Sequence, residues 1–435
     1  MRNRYDKILR NDLSIAQTVS KNSDSFDTPL GQLSLNVVVP TLILYVKWIL
    51  TESKRKNIKR LYFFARDGYL MYHTALILCS KLKFDIECSY FYCSRYSLRM
   101  ASYRFFDDSA YDKLFIHSYK LSAYNMLKRA GFSDNERFEV YKEIDFPLTD
   151  EQKIMTKTKF NDFCSKVKES KAFIKILKEK SDIAYENTLL YIKQESIPDY
   201  DKIGIVDLGW TGSLQRTLKR ILDSADIKTH LCGFYLGMLE TPPKLENSEY
   251  NTWLFNENDV LVKSWFAYNL MECIFTAPHG MTMGYTDDQG IIMPIFSEEK
   301  NAANYIEVIK EISEKFAADC DLKYCKKHKK LALRLLKQLM FNPSEQEVNL
   351  FRDLCFCDDV GEQYQSNIVQ ITDKRKFKNQ LLFHKIINRN EIDNLYWYCG
   401  SLKISNVSFK KLYKYMFLLT NALVISLKKL IQHKK

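Results

Sequence analysis

Short apolar runs that end in polar clusters and alternate with helical stretches constrain this chain most. Arg60-Leu61-Tyr62-Phe63-Phe64-Ala65 ends in Arg66-Asp67-Gly68 and is followed by a helical stretch from Tyr69 to about Lys81. Ser89-Tyr90-Phe91-Tyr92-Cys93 ends in Ser94-Arg95, with Ser97 and Arg99 just beyond. Lys202 to Asp207 breaks at Leu208-Gly209-Trp210-Thr211-Gly212 and runs into a helix from Ser213 to about Ala225. His230 to Leu236 is a fourth such run and Asn251 to Phe255 a candidate fifth. None of these alternates in polarity. Strands buried on both faces and separated by helices predict an α/β fold, a Rossmann-like, mostly parallel sheet.

Between the second and third strands, Asp107 to Gln194 is charged and helical, with turn signals at Gly131-Phe132-Ser133 and Asp145-Phe146-Pro147. Gly284 to Ile291 reads as a hairpin, and the remainder is largely helical. The expected organisation is an N-terminal extension (1–32), an α/β core (33–106 and 195–298), a helical insertion (107–194) and a helical C-terminal region (299–435). Glycine and proline number 13 and 9 in 435 residues, which excludes collagen-like and low-complexity architectures.

The 11 cysteines form no CxxC pair, and Cys320, Cys325 and His328 lack zinc spacing, so buried free thiols in a reducing compartment are expected. The N-terminus, Met1 to Asp6, has no apolar core of a secretory signal, and a cytoplasmic location follows as the expectation. Leu33 to Leu50 is apolar but carries Asn36, Pro40 and Lys47, which predicts a buried helix entered through Pro40 rather than a membrane span. At the C-terminus, Phe409, Leu412, Tyr413, Met416, Leu419, Leu423, Leu427 and Leu430 recur at helical spacing. Lys410, Lys411, Lys414, Lys428, Lys429, Lys434 and Lys435 flank them. Such a stripe fits two readings: peripheral contact with the inner face of the cell membrane, or a terminal helix docked on the protein's own core. The formal net charge of +12 favours polyanionic partners, but no groove-reading helix or stacking platform points to nucleic acid.

Ligands of a parallel sheet collect at the carboxyl ends of its strands, where three of the polar clusters fall. In Ile205-Val206-Asp207-Leu208-Gly209-Trp210-Thr211-Gly212-Ser213 a strand delivers one acid, and a Gly/Thr/Ser loop then opens a helix. Gly209 and Gly212 let backbone amides approach an anion, Thr211 and Ser213 add hydroxyls, and the helix start adds partial positive charge. Asp207 is placed to meet sugar hydroxyls beside that phosphate. In the first cluster Arg66 offers a forked cation, Gly68 an exposed backbone, and Asp67 a ligand for Mg²⁺. Arg95 adds a second guanidinium. A Walker loop is absent, and Trp210-Thr211 stands where a methyltransferase needs glycine. Phe63 to Leu70 looks like the Asp-x-Asp-Gly-x-Leu phosphatase signature of the haloacid dehalogenase family, but the nucleophile position is Ala65, which forms no aspartyl-phosphate.

The loop after Asp207 resembles the ribose-phosphate loop of type I phosphoribosyltransferases, departing from it at Val206, where a second acid is usual, and at Leu214. Phe-Phe-Ala-Arg-Asp-Gly-Tyr-Leu, Tyr-Cys-Ser-Arg-Tyr-Ser and Val-Asp-Leu-Gly-Trp-Thr-Gly-Ser-Leu-Gln, in that order, look like the glycan phosphoribosyltransferase modules of bacterial surface-polysaccharide assembly. This resemblance covers about Leu33 to Tyr285. It implies Mg²⁺-dependent transfer of 5-phosphoribose from phosphoribosyl pyrophosphate to a glycan acceptor, lipid-linked in some systems, with a separate phosphatase acting afterwards. Under it, Asp67, Arg66, Gly68, Ser94 and Arg95 serve the leaving pyrophosphate. Gly209, Trp210, Thr211, Gly212 and Ser213 cradle the 5-phosphate, Asp207 orients the ribose, and Glu272 and His279 are candidates for the base. A structural role for those last two is the alternative. A non-catalytic scaffold and a nucleotide-sugar-dependent glycosyltransferase are the competing functions.

Overall fold

The computed structural model describes residues 2–105, 114–115, 121–298, 304–321, 323–357, 366–382 and 395–432. Asp107 and Glu299, at the expected starts of the two helical regions, and Lys434 and Lys435 lie outside the described residues. The five apolar runs are strands β1 (Arg60–Phe64), β2 (Glu87–Phe91), β3 (Lys202–Asp207), β4 (His230–Gly237) and β5 (Ser248–Phe255). They form one sheet in the order β2-β1-β3-β4-β5, every neighbouring pair parallel, as the Rossmann-like reading requires. β2 and β5 begin earlier than expected and are half-buried over most of their length, because each lies at an edge.

Side chains of a central strand point alternately to two covered faces. Leu61 and Phe63 join a core with Leu42, Tyr45 and Leu70, while Tyr62 and Phe64 join one with Ile203, Ile205 and Leu218. The first face is packed by the helices Pro29–Arg55 and Tyr69–Leu82, and the second by Arg95–Ser102, Ser213–Ser224 and the end of Lys171–Gln194. Two apolar layers explain why no strand alternates in polarity.

The apolar segment near the N-terminus differs from its expected form. The helix begins at Pro29, not at Pro40, and runs unbroken to Arg55. Ser34–Val38 forms a π turn in which the Val39 N–H reaches the Ser34 carbonyl. Pro40 has no N–H to donate, and a wider turn just before it accommodates that missing bond. Among the described residues this is the one helix long and apolar enough to cross a membrane, and 94% of its most apolar window is buried inside the protein.

The helices Ala123–Arg129, Asp134–Glu143 and Lys157–Glu169 enclose a core of their own. Lys171–Gln194 begins in that core at Phe173 and Ile176 and ends in the sheet's core at Tyr191 and Ile192. The expected hairpin is β6 (Thr282–Asp288) and β7 (Ile291–Phe296). Among the described residues the regular elements of the C-terminal region are helices, apart from a ladder of β8 (Cys355–Phe356) with β9 (Ser366–Asn367). Its helices Asn304–Asp319 and Lys327–Met340 pack on Pro29–Arg55 and share one core with it. The N-terminal extension is also tied in, through a 2.7 Å hydrogen bond from the Tyr5 hydroxyl to Glu347.

Candidate functional site

The strand order reverses direction between β1 and β3, so the loops leaving their carboxyl ends diverge and leave a crevice. Here lies a cleft of about 1410 Å³. Arg66 and Asp67 after β1, Ser94, Arg95 and Arg99 after β2, and Asp207, Gly209, Trp210, Thr211 and Ser213 at the end of β3 all line it. Glu272, on the helix Tyr268–Ile274, and His279, in the loop before β6, line it as well.

The β3 loop owes its shape to two glycines. Gly209 has φ 136°, and a Cβ there would collide with the Gly237 carbonyl oxygen. Gly212 has φ 62° and is the N-cap of Ser213–Ser224, with no side chain capping the helix. The start of that helix therefore keeps its partial positive charge directed at the cleft wall formed by Thr211 and Ser213. The Tyr45 hydroxyl, from the layer on the first face of the sheet, bonds to the carbonyls of Asp207 (2.8 Å) and Phe234 (2.9 Å) and pins the end of β3.

Three carboxylates meet here. Burial, then the charges of Asp207 and Glu272, push Asp67 well above the ordinary carboxylate range, against the pull of Arg66 and Arg95. Burial and Glu272 push Asp207 up to about 7, although the Leu208 and Gly209 N–H groups and Arg95 oppose this. Trp210 donates its indole N–H to Glu272 Oε1 at 2.6 Å and stacks on Phe255, which fixes the carboxylate toward the cleft. Arg95 and Arg99 lie one helical turn apart, and Arg216, one turn into the helix that the β3 loop opens, is a further guanidinium on the wall.

Several expected roles are altered by the contacts. The Ser94 hydroxyl accepts from the Ser97 N–H and donates to the Thr282 carbonyl at 2.6 Å, so it caps the helix Arg95–Ser102. The Gly68 N–H is bonded to the Phe64 carbonyl at 2.7 Å, and a Cβ on Gly68 would meet the same oxygen. That glycine closes the turn and offers no amide to an anion. His279 has Nε2 2.8 Å from the Tyr90 hydroxyl and Nδ1 2.8 Å from the Gly280 carbonyl, and burial lowers its pKa. Both ring nitrogens are thereby engaged.

Sequence reasoning missed Tyr45, Arg216 and Asn269. Arg216 carried a signal, its place on the first turn after the glycine loop. Asn269 is buried on the cleft wall, and its Oδ1 has no partner among the described residues. Nothing local in the sequence distinguishes it. Trp265, Tyr396, Phe417 and Lys428 also line the cleft.

Among the described residues, no group of three or more His, Cys, Asp or Glu side chains is arranged to hold a metal ion. The donor chemistry suits a cation that arrives with a diphosphate, because Mg²⁺ needs only one or two carboxylates when phosphates and water complete its shell. Burial and the charge of Asp207 both raise Asp67, and a cation beside the two acids would relieve their repulsion. Compared with protein-family models and with curated proteins, the sequence matches none.

Proposed function

We propose that the cleft transfers 5-phosphoribose from phosphoribosyl pyrophosphate to a hydroxyl of a glycan acceptor. One observation carries this reading: acids and arginines from three strand ends converge at the crevice beside an uncapped helix start. Such a place suits a donor with a phosphate at each end and a polyhydroxylated ring between them. Thr211, Ser213 and the first-turn amides hold the 5-phosphate, and Asp207 accepts hydrogen bonds from the ribose hydroxyls. Arg66 and Arg95 hold the diphosphate by forked hydrogen bonds. Bound Mg²⁺, held by Asp67, would supply charge neutralisation for the leaving group.

The bond from the anomeric carbon to the diphosphate oxygen breaks, and pyrophosphate departs with the electron pair. The acceptor oxygen forms the new bond to that carbon and loses its proton to Glu272, whose orientation is set by Trp210. The arginines favour this step because negative charge grows on the leaving group.

Isothermal titration with phosphoribosyl pyrophosphate and with nucleotide sugars, each with Mg²⁺, tests the proposal. Binding of phosphoribosyl pyrophosphate alone is expected. A preference for a nucleotide sugar would favour the other transferase, and binding of neither would favour a scaffold. An Asp207→Ala protein that consumes the donor at the wild-type rate would also overturn the mechanism.

A further inference from the structure

The C-terminal helix Lys410–Gln432 has two faces, and only one of them lines the cleft. Phe417, Asn421, Val424, Ile425 and Lys428 line the cleft, and the Asn421 amide donates to the Ser264 carbonyl. The other face is open. Leu412, Met416, Leu419, Leu423, Leu427 and Leu430 are each more than two-fifths exposed along 23 residues of helix. Tyr413, expected in the same stripe, is instead buried, so the exposed stripe is purely the outward one.

We propose that this face docks on an anionic lipid bilayer and brings the rim of the cleft to its surface. Charge decides between occupants. From Asn394 to Lys435 the chain has eight lysines and no aspartate or glutamate. A second copy laid against this face would bring the same positive charge against itself, whereas an anionic surface is complementary to it. Exposed leucines bounded by lysines are the composition of helices that lie in the membrane interface. This inference does not depend on which donor the cleft binds.

The test is sedimentation of the full chain with vesicles of phosphatidylcholine, with and without phosphatidylglycerol. Binding is expected with phosphatidylglycerol, about tenfold or more weaker without it, and weakened by salt. Leu419→Asn with Leu423→Asn is expected to lower partitioning about tenfold or more while leaving the circular dichroism spectrum and donor titration unchanged. A Lys411→Glu protein serves as a second variant and is expected to weaken binding to anionic vesicles alone. Equal binding to neutral vesicles, no binding to either, or a wild-type dimer that the leucine variant dissociates without changing vesicle binding would each overturn the proposal.

Discussion

Asp207 is held at a cost that its neighbours define. Its carboxyl is raised to about 7 by burial and by Glu272. A native-state pKa above the unfolded value of about 4 means that the folded chain retains a proton the unfolded chain has released. Stability therefore falls as pH rises from about 4 to about 7 and remains lower above that window. Asp207→Asn removes the charge, so we expect it to be more stable than the wild type at pH 8.5, by on the order of 4 kcal/mol at most, and to melt higher. The gain should shrink at pH 5, and thermal scans at both values check it. Activity should be lost at either pH. Glu272→Gln should lower kcat by about a hundredfold or more, in the range for removal of a general base. His279→Asn should change it by less than about tenfold, because both nitrogens of His279 already have partners. Steady-state kinetics on the two variants separates the roles.

The helix Ser213–Ser224 and the end of β3 act together, and substitutions there test the loop as a unit. Gly212 sits at φ 62°, with Tyr250 and Pro242 closing on the space a Cβ would fill. Gly212→Ala is expected to cost roughly 1–2 kcal/mol in denaturant unfolding and to raise the KM for the donor. Tyr45→Phe removes the hydroxyl that serves the Asp207 and Phe234 carbonyls, and a loss of about 1–3 kcal/mol is expected in the same measurement. The elements themselves were legible in the sequence. β1, β3 and β4 show as uninterrupted apolar runs, and the β3 loop as glycines before a helical stretch. β2 and β5 were less legible because edge strands are half-buried and mix polar residues into the run. The start at Pro29 was hidden because Pro40 reads as the first turn of the helix, whereas a π turn lets the helix pass through it.

The molecule shares one large core across regions that the sequence separates by more than two hundred residues. Leu42, Ile43 and Val46 belong to the same cluster as Phe316, Leu331 and Leu335. A chain ending at residue 298 would expose that surface, and we expect it to lose its near-ultraviolet circular dichroism and its cooperative unfolding transition. Retention of a sharp transition would show that the α/β core stands alone. The parallel sheet, the acids and arginines at its strand ends and the amphipathic C-terminal helix follow from local residue order, because hydrophobic periodicity and turn chemistry act over a few neighbours. Which helix face turns outward, the tether of Glu272 to Trp210, the engagement of His279 and the unmatched Asn269 carbonyl do not. Those depend on which distant segments meet, and short-range patterns carry no record of long-range contacts.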